Sequence, residues 1–362
     1  MNKKFLAILG GGLITVSAVG TILSTSLTFQ MSNKITDRIS VVQDNVTTLS
    51  QAMIEEKKTD DDPQYVTIAS QYPILDTSNI SDAYITQDSS KLTTPEDKET
   101  LQLASELLKK ITTDKMSLYE KELEIHDWMA TNIVYEGNNL SSIPTGNGAT
   151  HTPYGVLKYK KAVCVGYATT FKLLMNMLGA DCMVEHDNDF SHSWNVVKLD
   201  DGQWYIVDNY YDSCNNPNSK VISHANFNLT NDIFTIDHAF QTENYPVAAG
   251  TKYSYAAQNA VDLKDIKQLP KLLSQNYKKK QLDCYYKVSK DVDCNYIAAV
   301  INGASLRLGE AGSINAEYLK LPDDTVILTI TFIYMDDNLT ADESSYPKLT
   351  DELDKYFGQT ME

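Results

Sequence analysis

The sequence predicts an α+β protein: a helix-then-sheet globular part, a smaller α+β part after it, and a membrane-length apolar segment ahead of both. Three observations predict this. Helical periodicity fills residues 95–179 and strand-like runs fill 182–211, an order that packs an antiparallel sheet against helices rather than alternating the two. From about Val261 a second composition begins, with its own helices and strands. The chain of 362 residues, 42% hydrophobic and 22% charged, is long enough for one large core or two modest ones.

Residues 1–31 read as a membrane anchor or signal. Two lysines precede an uncharged run from Phe5 to Met31, long enough to cross a bilayer. No small-residue cleavage site follows a short apolar core, and no cysteine before Cys164 can carry an N-terminal lipid. An uncleaved single-pass anchor in the cell membrane, with an extracellular globular part, is therefore favoured over a cleaved signal and a secreted protein. Residues 32–62 form a stalk and linker. Ile35, Ile39, Val42, Val46, Leu49 and Met53 alternate spacings of four and three, the seam of a short coiled coil through residues 35–53 or of a helix lying on its own domain. The first reading makes the protein a homo-oligomer. "EEKKTDDDPQ" then serves as the linker.

Residues 63–260 form the main domain. Thr94 caps a helix from Pro95 to Ile111, and a second begins at Ser117 and runs through "YEKELEIHDWMATNIVYE". The loop "GNNLSSIPTGNGATHTP" leads to "KAVCVGYATTFKLLMNMLG", in which Tyr167, Phe171, Leu174, Met175 and Leu178 recur at helical spacing and bury one face. Gly179 ends that helix. Strands follow in "CMVEH", "HSWNVVKL" and "QWYIVDNYY". Residues 261–362 form the small C-terminal domain, with helical "LKDIKQLPKLLSQNY", strand-like "LDCYYKVS" and "TVILTITFIYM", and a helix near "CNYIAAVING".

The chemistry centres on Cys164, at the start of its helix. A thiol attacks as thiolate, and unpaired amides in the first helical turn lower its pKa and can later hold an oxyanion. It needs a histidine to exchange its proton and an acceptor to orient that histidine. His192 and Asp208 supply them if "LDDGQ" forms a three-residue loop with Gly202 left-handed. Leu199 then opposes Gln203 and His192 opposes Tyr210, with Asp208 a diagonal neighbour on the same face, roughly 7–8 Å away. A two-residue turn would put them on opposite faces.

At these residues the sequence resembles the bacterial transglutaminase-like superfamily. "HTPYGVLKYKKAVCVGYATTFKLLMNMLGA", "SHSWNVVKLDDGQWYIVDNYYD" and "HANFNLTND" are similar to successive blocks of that family, and "IHDWMATNIVYE" to its preceding helix. The resemblance spans roughly Leu103 to Asp232. It implies the papain-like α+β fold and thiol acyl-transfer chemistry, with Cys164 as nucleophile, His192 as base and Asp208 as orienting carboxylate. Ser193 stands where the family often has alanine, and "DNYYD" where it usually has aspartate, threonine, tryptophan and aspartate. The implied function is attack on an amide or peptide bond of a protein or peptide substrate, at the cell surface or wall, with the acyl group passing to water or an amine. No cofactor is needed. A rival reading is a silent surface-binding or wall-assembly module on the same fold.

The remaining residues read more plainly. Acidic residues outnumber basic ones 48 to 31, a net charge of -17 that opposes a nucleic-acid partner. With five cysteines and no CxxC or HxxxH, no metal site is expected. Cys284 can close a short loop with Cys294, and Cys182 and Cys214 are the remaining pair if Cys164 stays reduced, or all four are plain thiols. His126 is expected to pack beneath the cleft or bond to backbone, and His151, His186, His224 and His238 to be structural or on the surface. Trp194 and Trp204 read as core. Tyr154 could add an oxyanion hydrogen bond.

Overall fold

The computed structural model describes residues 74–135, 150–187, 192–214, 221–235, 238, 240, 245–308, 313–333 and 349–357. The expected anchor and stalk lie outside the described residues. Among those described, no helix is long and apolar enough to cross a membrane. The chain divides into two compact units: one reaches to Phe234 and takes in residues 238–255, and the other resumes at Ala256.

The first unit opens with helices α1 (Ser78–Thr86), α2 (Pro95–Ile111) and α3 (Leu118–Asn132). Their starts follow from local chemistry. Thr94 accepts the Asp97 amide ahead of Pro95, and Ser117 with Glu120 forms a reciprocal capping box. A two-stranded parallel pair, β1 (Val134–Tyr135) and β2 (Lys161–Ala162), brackets α4 (Pro153–Tyr159), whose N-terminus Thr152 caps. Helix α5 (Cys164–Met177) begins directly after.

Helix α5 is not the one-faced amphipathic helix its spacing predicts. Twelve of its fourteen residues are buried, Thr169 and Thr170 among them. It runs through the centre of the unit, packed by α1, α4 and the sheet, so the polar face expected in water meets other elements instead. Ile125, Met129, Val156, Phe171, Leu174, Val197 and Phe227 share its core, each fully buried side chain contributing about 1.5–3 kcal/mol. Gly179, at φ +85°, closes it: the Gly179 amide bonds Asn176 and the Ala180 amide bonds Met175.

Strands β3 (Cys182–His186), β4 (Ser193–Lys198), β5 (Trp204–Val207) and β6 (Phe227–Leu229) form an antiparallel sheet in that order. The β4–β5 register pairs Val197 with Tyr205 and Lys198 with Trp204. Leu199 bonds Gln203 at 3.1 Å across a three-residue loop, with Gly202 at φ +74°. This is the expected register. The third strand, however, is shorter than expected: it ends at Val207, and helix α6 (Asn209–Cys214) follows. The reason lies in Asp208, whose Oδ1 accepts the amides of Tyr210 at 3.0 Å and Tyr211 at 3.1 Å, satisfying the start of a helix where a strand would need a partner. Tyr210 is therefore not a cross-strand partner of His192. A short helix α7 (Asn231–Phe234) follows β6.

The second unit is α+β in its own right. Strands β7 (Val261–Asp262), β8 (Asp283–Val288), β9 (Ser313–Lys320) and β10 (Val326–Ile333) form a sheet in the order β7-β8-β10-β9, with helices α8 (Leu269–Lys278), α9 (Cys294–Leu308) and α10 (Leu349–Phe357). Strand β9 and helix α10 are not among the elements expected from the sequence, although "SINAEY" alternates polar and apolar residues and buries Ile314 and Ala316; α10 buries just Leu349 and Leu353. The disulfide expected between Cys284 and Cys294 is not formed. Both are free buried thiols, on β8 and at the start of α9. Burial pushes Cys284 up to about 12 and Cys294 up to about 11, against the neighbouring Tyr286 and Tyr318. Cys182 is also a free buried thiol, and the side chain of Cys214 lies outside the described residues.

Candidate active site

Three elements bring Cys164, His192 and Asp208 together. Cys164 is the first residue of α5, behind Val163, whose amide bonds the Thr150 carbonyl at 3.0 Å. That carbonyl lies across the first turn so closely that a Cβ on Gly166 would sit 2.0 Å from it. Glycine is required there by proximity rather than by its dihedral angles. His192 stands just ahead of β4, its amide bonded to Asp187 Oδ1 at 3.0 Å. Asp208 follows β5.

The His192 ring joins the other two. Its Nε2 is hydrogen-bonded to Asp208 Oδ2, and the Cys164 thiol bonds the same ring. Burial works against a charge on the imidazole, but the Asp208 carboxylate and the Cys164 sulfur outweigh it and raise its pKa to about 10. His192 thus holds its proton at neutral pH in the resting state. With Nε2 committed to Asp208, Nδ1 is left to exchange a proton with the thiol. All three side chains are buried, Cys164 at 2% exposure.

Aromatic rings enclose the imidazole. Tyr211 lies 4.7 Å from it between centroids, Tyr210 5.3 Å, Trp194 5.7 Å and His238 5.8 Å. Trp194 is buried as expected and donates to Glu185 Oε2 at 2.8 Å. Burial lifts Glu185 to about 7. Tyr154 takes no place here: its hydroxyl bonds Glu99, and Lys158 bonds that hydroxyl in turn.

Behind the site lies a second set of charges that the sequence reading passed over. His126 is fully buried, as expected of a residue beneath the cleft, but it is bonded on both sides by carboxylates: Nδ1 to Asp127 at 3.1 Å and Nε2 to Asp212 at 3.0 Å. Burial opposes its charge, and the two carboxylates overcome it, raising its pKa to about 9. Asp127 is carried down to about 2, its imidazole partners His126 and His224 outweighing burial. Asp212 also accepts Ser223 Oγ at 3.0 Å and the Asn226 side chain at 3.1 Å. Asp212 belongs to α6, so this network ties α3 to the helix that carries Tyr210 and Tyr211. No local signal in the sequence pairs Asp212 with His126, which lies 86 residues away.

Among the described residues, two groups present metal-ligating atoms within 4.8 Å of one another: His126, Asp127 and His224, and His192, Asp208 and His238. In the first, His126 already sits between two carboxylates as an imidazolium. A cation there must displace that proton. In the second, the same atoms make the His192–Asp208 bond.

A buried thiol, an imidazole and a carboxylate thus stand together, on a helix start and two strand ends. Residues 105–209 match the sequence model of the transglutaminase-like superfamily, a span that contains all three residues, so the chain carries a transglutaminase-like domain. The chain is also similar to the kyphoscoliosis peptidases of Homo sapiens and Mus musculus, 26% and 25% identical over 126 residues. Each alignment covers 31% of this chain and 18% of the relative's length.

Proposed function

We propose that the protein is a cysteine acyl-transfer enzyme in which Cys164 attacks the carbonyl carbon of a carboxamide or peptide bond. The observation that carries this is the linked set Cys164–His192–Asp208. Sulfur bonds to the carbonyl carbon, the resulting oxyanion is held near the amides at the start of α5, and the C–N bond breaks as His192 gives its proton to the departing amine. A thioester remains. Water, deprotonated by His192, returns a carboxylic acid, and an amine in its place returns a new amide. Asp208 holds the ring through both steps. Deamidation, peptide hydrolysis and transamidation are thus one mechanism with different acceptors. The similarity to proteins named peptidases supports hydrolysis as the first activity to assay.

The uncharged segment 5–31 supports placing this domain outside the cell on a membrane anchor, and the 35–53 seam supports a homo-oligomeric stalk. The full chain is then expected to fractionate with membranes. The decisive experiment is mass spectrometry of surface proteins incubated with the enzyme, with and without a labelled primary amine. Deamidation, cleavage or amine incorporation that disappears with Cys164→Ala supports the proposal. No modified protein, together with ordinary Cys164 reactivity, supports a silent binding module.

A further inference from the structure

We propose that Asp212 is a positioning residue: its carboxylate fixes the place of Asp208 and, through Asp208, the orientation of the His192 ring. The inference rests on reading Cys164, His192 and Asp208 as the catalytic set. Asp208 is held by its backbone on both sides. Its amide donates to the Asn226 carbonyl at 2.9 Å, and its carbonyl accepts the Asp212 amide at 3.4 Å. Both holders meet at one side chain. Asp212 Oδ1 accepts the Asn226 amide and the Asn226 side-chain Nδ2, each at 3.1 Å, and Ser223 Oγ at 3.0 Å. Oδ2 lies 3.0 Å from His126 Nε2. A closed loop of bonds thus runs from Asp208 through Asn226 to Asp212 and back along the first turn of α6, and none of Asp212's hydrogen bonds among the described residues reaches Cys164 or His192.

The loop is stiff because Asp212 is buried and charged. A carboxylate out of water has to be met by donors, and bonds to a charged acceptor are the stronger kind, so the donors around it have little freedom to move. Asp208 commits both of its oxygens, Oδ2 to His192 and Oδ1 to the amides of Tyr210 and Tyr211, so a shift of its backbone disturbs the imidazole. A displacement of about 1 Å at such a site costs about 10²-fold in rate. Burial opposes the His192 imidazolium, and the Asp208 carboxylate with the Cys164 sulfur carries it to about 10. Loss of position therefore reads as a fall in the His192 titration midpoint. The other titratable groups facing the imidazole are Tyr210, Tyr211, His186 and His238, with Glu185 behind Trp194. His126, with Asp127 and His224 beyond it, faces Asp212.

Histidine-selective carbon-13 NMR of the full chain reads that midpoint, with the His192 signal assigned by its loss in His192→Ala. Asp212→Ala and Asp212→Leu leave Asn226 without its acceptor and are expected to lower the midpoint by about one unit or more. Asp212→Asn gives up the charge but keeps an oxygen for Asn226 and Ser223, and is expected to stay within about 0.3 unit of the parent protein. Because Asp212→Asn also loses the ion pair with His126, a preserved midpoint separates positioning from stability. Melting curves across the pH range establish that each variant is folded, and two variants without an acceptor guard against one failing. A midpoint unchanged in both of them overturns the proposal. So does a fall in Asp212→Asn as large as in Asp212→Ala, which would show charge acting through space instead of the bond to Asn226. Failure of the acyl-transfer reading appears separately, as a rate of Cys164 alkylation by iodoacetamide that His192→Ala does not alter.

Discussion

Asp208 divides its two oxygens between two tasks: Oδ2 holds His192 Nε2, and Oδ1 caps the helix that begins one residue later. One carboxylate thus orients the imidazole and sets the position of the rings packed around it. The proposed reaction and the local fold share a residue, so substitutions here separate into those that remove chemistry and those that also loosen the frame.

Cys164→Ala is expected to abolish turnover, by about 10³-fold or more, at a stability cost of about 1 kcal/mol or less, because one buried sulfur is lost from a small cluster. His192→Ala should be about as damaging to turnover. Asp208→Asn should be milder, since its Oδ1 still caps α6 while the amide at the other position disfavours the productive tautomer. Steady-state kinetics with denaturation curves for the three variants test this order. Retained turnover in Cys164→Ala removes the nucleophile assignment.

Gly166→Ala should destabilise the first unit by about 2–4 kcal/mol, because the added methyl would meet the Thr150 carbonyl. The displaced Thr150 carbonyl is the acceptor of the Val163 amide, so Cys164 alkylation should slow as well. A melting temperature within error of the parent protein would show that Thr150 moves freely.

The His126–Asp212 pair should stabilise the fold in a pH-dependent way. Its folded pKa of about 9 lies above the usual histidine value of about 6.5. The native state therefore keeps a proton that the unfolded state releases. The stabilisation is complete below about pH 6.5 and is lost as pH rises through about 9. Asp212→Asn should cost about 3 kcal/mol near pH 6 and distinctly less above pH 9. Urea denaturation at the two values measures the difference, and an equal penalty at both would mean that His126 is neutral throughout.

Glu122 carries a separate pH signature. It is fully buried on α3, bonded by the Asn228 side chain at 2.9 Å, and its other carboxyl oxygen has no partner among the described residues. Burial lifts it to about 8. The native carboxyl stays protonated where the unfolded one has ionised, so stability falls as pH rises from about 4.5 to about 8. Glu122→Gln should remove that slope and raise stability by a few kcal/mol at pH 8 relative to pH 5. Parallel stability–pH curves for the parent and the variant would contradict it.

The order of elements was legible because its signals are local. Thr94 before Pro95, Ser117 three residues before Glu120, and Gly179 after a helical run each fix an element boundary through a bond to a near neighbour. The register of the β4–β5 loop was legible for the same reason: Gly202 in the left-handed conformation fixes which residues face each other. The shared face of His192 and Asp208 followed from that register, and Cys164 from its place at a helix start. What was not legible involves contacts remote in sequence. The apparent outer face of α5 is buried because α1, α4 and the sheet surround it, which periodicity cannot see. The run "DNYY" resembles a strand in composition, yet the Asp208 side chain turns it into a helix start.

By itself, the sequence determined which atoms are available for chemistry and the local geometry that presents them: a thiol at a helix start, an imidazole ahead of one strand, a carboxylate at the end of the next. Only the tertiary structure decided what surrounds them. The burial of Cys164 beneath Tyr210 joins α5 to α6, and the imidazolium of His126 between Asp127 and Asp212 joins α3 to α6 across 86 residues of chain. Capping and turn bonds act within a few residues and are written in the sequence one after another. Burial and charge pairing depend on which elements meet, and that is settled only when the core closes.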